Sequence, residues 1–220
     1  MVNLPFRDRA EAGRLLGAEL ASRKFPANTM VLALLRGGVA VGVKVAETLG
    51  APLDVVVVRK LGVPSRPELA MGAVAGQARV LDQHLIRALR IRQEDVEAVV
   101  VRETREMERR ERLYRGGSLG PNLQGRSVVL VDDGLATGSS MVAAVRHVRA
   151  AQPQKVTVAV PVASSQACDW LSSEADECIC LAMPESFHAV GEWYVDFRQV
   201  TDTEVLDLLG HSRRAIPTTL

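Results

Sequence analysis

Apolar residues come in short runs along this chain, separated by longer stretches in which apolar and polar residues recur at helical spacing. The runs cover residues 30–35, 53–58, 128–131, 155–162 and 177–181. Because few of their positions alternate with polar residues, they are typical of strands buried on both faces of a parallel sheet. The stretches between them predict helices. This order predicts an α/β fold with a doubly wound, mainly parallel five-stranded sheet.

The segment between the second and third of these strands follows another pattern. Residues 62–76 are rich in glycine and proline and predict a long, flexible loop leading into a short strand, with another strand at 78–81. Residues 82–115 predict helix, and their acids and bases are interleaved as on a solvated helix. We therefore expect a single domain over residues 1–220, with a loop and helical insertion at about 62–121.

Composition narrows the class of protein further. The chain has 220 residues and a formal net charge of +1, so there is no electrostatic reason to expect nucleic acid or a membrane as its main partner. No apolar run approaches the length of a membrane span. The three cysteines, Cys168, Cys178 and Cys180, lack Cys-x-x-Cys spacing. We therefore expect reduced thiols in the cytoplasm that serve as core residues.

The most informative stretch covers residues 128–140, with the sequence V-V-L-V-D-D-G-L-A-T-G-S-S. Asp132 and Asp133 stand where a buried strand ends, and small residues then open a helix. Backbone N–H groups at a helix N-terminus favour a phosphate, and paired carboxylates can accept hydrogen bonds from a ribose diol. In an open parallel sheet, ligands bind at this end of the strands. The structural alternative is a strand, an acidic turn and a capped helix without a ligand.

Residues 128–140 resemble the phosphoribosyl-pyrophosphate (PRPP) signature of the type I phosphoribosyltransferases, in which apolar residues and two acids precede Thr-Gly and small hydroxyl residues. The resemblance implies the type I phosphoribosyltransferase fold with a C-terminal hood. It implies that Asp132 and Asp133 act in catalysis by holding the ribose hydroxyls. It also implies a cradle for the 5′-phosphate, formed by Ala136, Thr137, Gly138, Ser139 and Ser140.

A second strand–turn–helix unit begins with the strand at residues 30–35 and continues through Arg36, Gly37 and Gly38. Alone, the two glycines indicate a tight turn. Beside the PRPP signature, the turn resembles the pyrophosphate loop of the same family. The resemblance implies that Arg36 and the amides of Gly37 and Gly38 bind pyrophosphate, with Arg36 stabilising the leaving group. Such loops often contain a non-proline cis peptide bond, and we expect one at Arg36–Gly37.

Two charged residues elsewhere are candidates for the same site. Lys60 follows the second predicted strand, where a cation would face the crevice and bind pyrophosphate; solvated charge at a strand end is the alternative. Glu68 is the one acid in residues 62–76, which correspond to the mobile loop of the family, and it is a catalytic candidate; a solvent-exposed glutamate is the alternative. The charged helix could also deliver an arginine across a subunit interface, the candidates being Arg109, Arg110 and Arg112.

Aromatic residues are concentrated after the last predicted strand, in a non-helical segment at about 183–198. Its run P-E-S-F-H-A-V-G-E-W-Y-V-D-F resembles the hood of the 6-oxopurine phosphoribosyltransferases. The resemblance implies that Phe187, Val190 and Trp193 contact the base, with stacking by Phe187 or Trp193. It also implies a metal-directed role for Asp196. The same aromatic residues could instead close the open end of the domain.

The three motifs together span residues 30–197, and the chain looks most like a bacterial branch of the family that carries R-G-G, V-R-K-L-G, P-E-x-A-x-G-A, D-D-G-x-A-T-G and W-Y-x-D-F. Two departures leave the base open. Ala136 stands where the 6-oxopurine enzymes have a third aspartate, and the adenine enzymes also have alanine there. Ala163, Ser164 and Ser165 stand where the 6-oxopurine enzymes place a lysine that reads the base.

The resemblance implies an enzyme that uses Mg²⁺ and PRPP to transfer ribose 5-phosphate to a nitrogenous base, a purine or another nucleobase, with release of pyrophosphate. Mg²⁺ is then the cofactor, held mainly by the substrate, and purine salvage is the metabolic setting. A homodimer or higher homo-oligomer is also implied. Two alternatives stay open. One is a non-catalytic regulator of the same fold that binds PRPP or a nucleotide, and the other is an ordinary doubly wound protein whose turn binds another phosphate ligand.

Overall fold

The computed structural model describes residues 2–116 and 120–215, so residues 117–119 of the expected insertion and both ends of the expected domain, residue 1 and residues 216–220, lie outside it. A single turn of 3-10 helix, Val190–Trp193, precedes the last helix. In chain order the helices and strands are α1 (Arg9–Ala21), β1 (Met30–Leu34), α2 (Gly37–Leu49), β2 (Leu53–Val56), β3 (Val58–Val63), β4 (Arg66–Ala75), β5 (Ala78–Leu81), α3 (Gln83–Ala88), α4 (Gln93–Arg115), β6 (Ser127–Val131), α5 (Ser139–Ala150), β7 (Lys155–Val162), α6 (Ser165–Glu174), β8 (Glu177–Ala182) and α7 (Asp202–Ala215).

Five strands form a parallel sheet in the order β2-β1-β6-β7-β8, and the predicted fold class is confirmed. Apolar residues of α1, α2 and α7 cover one face of this sheet. Residues of α5 and α6 cover the other face. Because both faces are shielded from water, the strands carry apolar residues without alternation, which is the pattern that made them predictable.

The register at the centre of the sheet decides which loops become neighbours. β1 pairs with β2 on one side and with β6 on the other, and Ala33 lies opposite Val131. The turns that follow β1 and β6 therefore start side by side at the carboxyl edge of the sheet. This places residues 36–38 next to Asp132 and Asp133.

The segment expected to be a loop at residues 62–76 belongs instead to a second, antiparallel sheet formed by β3, β4 and β5. Its glycines lie where neighbouring chain segments come closest. A Cβ on Gly62 would lie 2.3 Å from the carbonyl oxygen of Pro67, and one on Gly72 would lie 2.2 Å from that of Val80. Glycine here permits a close approach between strands rather than a loop. The loop expectation was therefore wrong over most of this segment.

The core strand expected at residues 53–58 is also shorter than predicted. β2 ends at Val56, and the chain crosses at once into β3, which contains Arg59 and Lys60. Both cations therefore belong to the second sheet and not to the end of a core strand. That sheet packs against α5 on one side and against α3 and α4 on the other.

The long charged helix α4 is attached to the core at its C-terminal end. Arg115 donates to the carbonyl oxygen of Val55 at 3.0 Å, and its Nε lies 3.4 Å from Oδ2 of Asp54. Tyr114 is buried and donates its hydroxyl to Asp202 at 2.6 Å. The end of α4 is thus fixed against β2 and α7, while its first turns cover the second sheet.

Candidate functional site

Asp132 and Asp133 leave the end of β6 as a largely buried pair. The backbone N–H of Asp133 donates to Oδ1 of Asp132 at 2.8 Å, and Nε of Arg9 donates to Oδ2 of Asp133 at 2.7 Å. Burial, together with the neighbouring charge of Asp133, raises the pKa of Asp132 well above its usual range. Burial also raises the pKa of Asp133, although the Arg9 guanidinium opposes that shift. The pair therefore favours a ligand that brings hydrogen-bond donors or positive charge.

One oxygen of each carboxylate is available to such a ligand. Oδ2 of Asp132 and Oδ1 of Asp133 accept no hydrogen bond from the described residues, and neither is sealed from solvent. A ribose diol carries two hydroxyl donors, which matches these two acceptors in number and kind.

Asp133 is held in place by residues from both ends of the chain. Tyr194 donates its hydroxyl to the backbone carbonyl oxygen of Asp133 at 2.6 Å, and its ring stacks on Phe197 with centroids 5.0 Å apart. The Arg9 guanidinium lies 3.9 Å above the Phe197 ring and also donates to the carbonyl oxygen of Arg198 at 2.9 Å. Sequence reasoning named neither Arg9 nor Tyr194 as a site residue. Arg9 lies on an ordinary helix 124 positions before Asp133, and no local pattern connects the two.

The glycine turn after β1 fits tightly against the acidic pair. A Cβ on Gly37 would lie 1.9 Å from Oδ2 of Asp133, and one on Gly38 would lie 2.8 Å from the carbonyl oxygen of Val131. Any larger residue would force the two turns apart. These glycines therefore have a structural reason to be present, in addition to the pyrophosphate contacts that the sequence suggested.

Arg36 is held at the site by residues that the sequence did not single out. Its Nη1 donates to Oδ1 of Asp202 at 3.2 Å, and Tyr114 donates to the same oxygen. The Tyr114 hydrogen bond and then that of Arg36 lower the pKa of Asp202, while burial and the Asp202 carboxylate raise the pKa of Tyr114 to about 12. The non-proline cis peptide bond lies at Leu35–Arg36 and not, as expected, at Arg36–Gly37.

The turn predicted to bind the 5′-phosphate runs from β6 into α5. Gly138 precedes α5 with φ +81°, a left-handed conformation that glycine adopts without strain, and no side chain caps this helix. The Thr137 and Ser139 hydroxyls lie 3.4 Å apart at its start. Ser164 donates to the carbonyl oxygen of Ala136 at 2.6 Å, which ties the turn to the end of β7. The turn thus offers backbone and hydroxyl donors on a fixed backbone.

A cavity of about 490 Å³ opens beside the acidic pair. Six of the residues assigned from the sequence to the sugar and phosphate contacts line it, namely Arg36, Gly37, Lys60, Asp132, Asp133 and Ser140. Lys60 is exposed and forms no ion pair with another described residue. Gly38 and residues 136–139 adjoin these residues in sequence but do not line the cavity. The cavity therefore combines an unpaired cation with the acidic pair.

Four further charged residues line this cavity, namely Arg59, Arg102, Glu103 and Arg110. The sequence places Arg59 beside Lys60 at the end of a predicted strand that faces the crevice, but it gives no reason to expect Arg102 or Glu103 here. Arg59 donates through Nε and Nη2 to Oε2 of the buried Glu103, at 3.0 and 2.7 Å. Arg110 lines the cavity of its own chain, whereas the sequence favoured a solvated helix and offered delivery of an arginine across a subunit interface as the alternative. One feature of the sequence could have indicated that Glu103 is buried. Helical spacing puts it on the same face of α4 as the buried Met107.

Two predicted residues lie away from the cavity. Glu68 is exposed on β4 and is not among the described residues that line it, although its neighbour Pro67 is. Asp196 is exposed as well, and its Oδ1 accepts from the backbone N–H of Arg198 at 3.1 Å. Neither carboxylate is therefore among the described residues that line the cavity with the acidic pair.

The hood residues gather against the turn that follows β6. Phe187 and Trp193 pack with ring centroids 6.2 Å apart. Val190 lies against the loop, because a Cβ on Gly134 would fall 2.5 Å from its Cγ1. The indole Nε1 of Trp193 is buried without a hydrogen-bond partner among the described residues. These side chains form a cluster with Phe6, so the N-terminal segment is part of the hood.

The donor set of the cavity suits a hard cation. Mg²⁺ prefers carboxylate and phosphate oxygens and retains several of its waters. Asp132 and Asp133 bring carboxylate oxygens to the cavity, and two of these oxygens accept no hydrogen bond from the described residues. Among the acids that the sequence singled out, these two fit the ion, whereas Asp196 does not line the cavity.

Fold and site together define a doubly wound α/β protein whose polar crevice lies at the carboxyl edge of its parallel sheet. The sequence profile of the phosphoribosyl transferase domain matches residues 10–198, and the chain belongs to that family. The family expected from the sequence is therefore confirmed. Within the part of the chain that the structure describes, no helix combines the length and apolar character needed to cross a membrane.

Similar proteins agree with this assignment. Two curated proteins of Mycobacterium tuberculosis, from strains CDC 1551 and H37Rv, are provisionally named phosphoribosyl transferases and are each 43% identical over 210 residues. The match covers 95% of this chain and 47% of each relative, so the chain spans about half the length of the curated relatives it matches. The crystal structure of TT1426 from Thermus thermophilus is 44% identical with a TM-score of 0.77, and the match covers 94% of this chain and 98% of that chain.

Proposed function

We propose that this chain is a PRPP-dependent phosphoribosyltransferase that transfers ribose 5-phosphate to a nucleobase and releases pyrophosphate. The observation that carries the proposal is the Asp132–Asp133 pair, which lies between a glycine turn and a helix N-terminus at one edge of the sheet. A sugar with a phosphate on C5 and a pyrophosphate on C1 needs hydrogen-bond donors at each end and acceptors for its hydroxyls between them. The helix N-terminus, the acidic pair and the glycine turn offer these groups in that order in space.

The sugar contacts follow from the acceptors that the acidic pair leaves unused. Arg9 and the Asp133 amide each occupy one carboxylate oxygen, and the remaining two would accept from the ribose hydroxyls. Tyr194 keeps the Asp133 backbone in place while this happens. The protein would thus orient C1 of the sugar rather than react with it.

The leaving pyrophosphate would meet the cations on the other side of the pair. Lys60 forms no salt bridge with another described residue, although its charge acts on the acidic pair, and Arg36 lies at the cavity with 27% of its side chain exposed. As the bond from C1 to pyrophosphate breaks, negative charge builds up on the leaving oxygens, and these cations together with the Gly37 amide would stabilise it. Mg²⁺ brought in with PRPP would add charge neutralisation of the same oxygens. The substrate would mainly hold this ion, and Asp132 and Asp133 are the acids of the cavity that would lie beside it.

The base would bind under the hood, where Phe187, Val190 and Trp193 form an apolar and aromatic surface next to the PRPP loop. Aromatic rings and a planar base stack favourably, which supports a nucleobase as acceptor. The indole Nε1 of Trp193 is buried and has no hydrogen-bond partner among the described residues, so it could donate a hydrogen bond to an oxygen or nitrogen of the base. A purine is the proposed class, and a homodimer or higher homo-oligomer stays a prediction.

The test is release of pyrophosphate from PRPP and Mg²⁺, measured separately with adenine, guanine, hypoxanthine, xanthine, uracil, orotate and no base. Release that depends on one base names the acceptor and supports the enzyme. If no base gives release, calorimetry with PRPP decides between the two alternatives, a non-catalytic regulator that binds PRPP and a doubly wound protein that binds another phosphate ligand. Binding without turnover would support the non-catalytic regulator, and absence of binding would contradict the proposed site.

A further inference from the structure

The three cysteines, which are distant from the acidic pair in sequence, come together at β8, the edge strand of the parallel sheet. Cys168 lies on α6, and Cys178 and Cys180 lie two positions apart on one face of β8, against which α6 packs. Their three Sγ atoms all lie within 4.8 Å of one another. The separation between Cys178 Sγ and Cys180 Sγ is 3.9 Å. Their convergence was not visible in the sequence, where no metal spacing is present.

This geometry fits a metal ion better than it fits an ordinary core. A Zn–S bond is about 2.3 Å long, so thiolates on one tetrahedral ion lie about 3.8 Å apart. Cys178 and Cys180 already have this separation, and the remaining sulfur distances require shifts of about 1 Å or less. Only Cys168 is buried, as the sequence predicted for all three. Cys178 and Cys180 are half-buried.

An ion could also reach the three sulfurs from solvent. They line a cavity of about 530 Å³, whose rim includes Asp169 and Ser172. Asp169 is exposed and is not part of the group whose ligand atoms lie within 4.8 Å. The side of the sulfur cluster that faces the cavity is therefore open for a water molecule as a further ligand.

We propose that Cys168, Cys178 and Cys180 form a three-thiolate site that binds one thiophilic metal ion of the Zn²⁺ class per chain. Each thiol releases its proton to solvent as its sulfur bonds to the ion, and no electron is transferred. Thiolates select such ions over Mg²⁺, so this site differs in chemistry from the carboxylate site at the acidic pair. β8 leads directly into the hood, and the ion would hold α6 against the strand that precedes it.

The test is a titration of the reduced, metal-free protein with Co²⁺, followed through the thiolate-to-cobalt charge-transfer absorption, with Zn²⁺ then added to displace the cobalt. We expect saturation at one ion per chain. Cys178→Ser and Cys180→Ser should each weaken binding by more than about 100-fold, which exceeds the loss typical of a missing outer-shell partner. Asp169→Asn is the matched control, since it removes a charge from the same cavity and leaves all three thiols.

Three results would overturn the proposal. These are the absence of a charge-transfer band in the wild-type protein, an unchanged affinity for Co²⁺ in the serine variants, and an equal loss of binding in Asp169→Asn. If the serine variants fail to fold, the wild-type protein still decides the matter. Zn²⁺ should then protect its cysteines from iodoacetamide, counted by mass spectrometry, whereas Mg²⁺ should not. Equal alkylation with and without Zn²⁺ would contradict the site.

Discussion

Gly37 and Asp133 approach so closely that a Cβ on the glycine would fall 1.9 Å from Oδ2 of the aspartate. That oxygen is also the one that accepts from Arg9. The glycine turn, the acidic pair and α1 therefore meet at one carboxylate oxygen. A substitution in any one of them is expected to change the position or the hydrogen bonds of the other two.

Gly37→Ala should destabilise the protein by about 1–3 kcal/mol, because the new methyl group must displace a carboxylate that is already hydrogen-bonded. Asp133→Ala removes the atoms that the methyl group would meet, and the next nearest atom is Nε of Arg9 at 3.1 Å, at the end of a flexible side chain. The cost of Gly37→Ala should therefore shrink in the Asp133→Ala background. Urea unfolding of the wild type, the two single variants and the double variant measures this coupling. Equal costs in both backgrounds would show that the two residues do not interact as described.

Asp133→Asn should lower pyrophosphate release by more than about 10-fold, because a lost charge-assisted contact is worth about 1.5–3 kcal/mol. The change keeps the size of the side chain but removes its charge toward Arg9 and the sugar. Asp196→Asn makes the same chemical change on an exposed residue outside the cavity. We expect that control to stay close to the wild-type rate. Similar losses in both variants, measured in the same assay, would contradict the roles given to the two carboxylates.

Tyr194→Phe should lower the free energy of unfolding by about 0.5–1.5 kcal/mol, the usual net worth of one hydrogen bond. The ring stays in place against Phe6 and Phe197, so the loss isolates the bond to the Asp133 carbonyl oxygen. A shift in the midpoint of urea unfolding with an unchanged slope would report this loss. An unchanged midpoint would mean that the hydroxyl does not hold the acidic turn.

His147 should make the protein less stable in mild acid. Burial lowers the pKa of this half-buried histidine below its ordinary 6.5, so between the two values the unfolded chain binds more protons than the folded one. Its contribution to stability is therefore complete above pH 6.5 and is lost as the pH falls through the folded-state pKa. His147 packs against Gly76, where a Cβ would lie 2.2 Å from Nδ1, so the β4–β5 turn depends on the neutral ring.

Urea midpoints measured from about pH 5 to about pH 8 test this directly. His147→Gln should reduce the loss of stability on the acid side, and replacement of the exposed His84 should not. A His147→Gln protein with the pH dependence of the wild type would contradict the assignment.

The parallel sheet could be predicted because each of its strands is buried on both faces, and burial on both faces leaves a continuous apolar run in the sequence. Val128 to Val131 is such a run, and its two acids and small-residue turn follow from local chemistry alone. The family could be identified because its signature is a short, continuous stretch of sequence. In the second sheet, β5 was predicted at residues 78–81, whereas β3 and most of β4 were not. Gly62 and Gly72 serve close strand contacts there, and glycine indicates a loop when its neighbours in space are unknown.

The sequence by itself determined most of the elements, the parallel sheet and the family, and it named candidate residues for a phosphorylated sugar, because all of these depend on neighbours along the chain. Only the tertiary structure decided what holds those residues. Arg9 reaches Asp133, Asp202 holds Arg36, and α4 brings Arg110 to the cavity. These partners are distant in sequence, and strand register and helix packing bring them together. No local pattern records such a contact, and the three clustered cysteines illustrate the same limit.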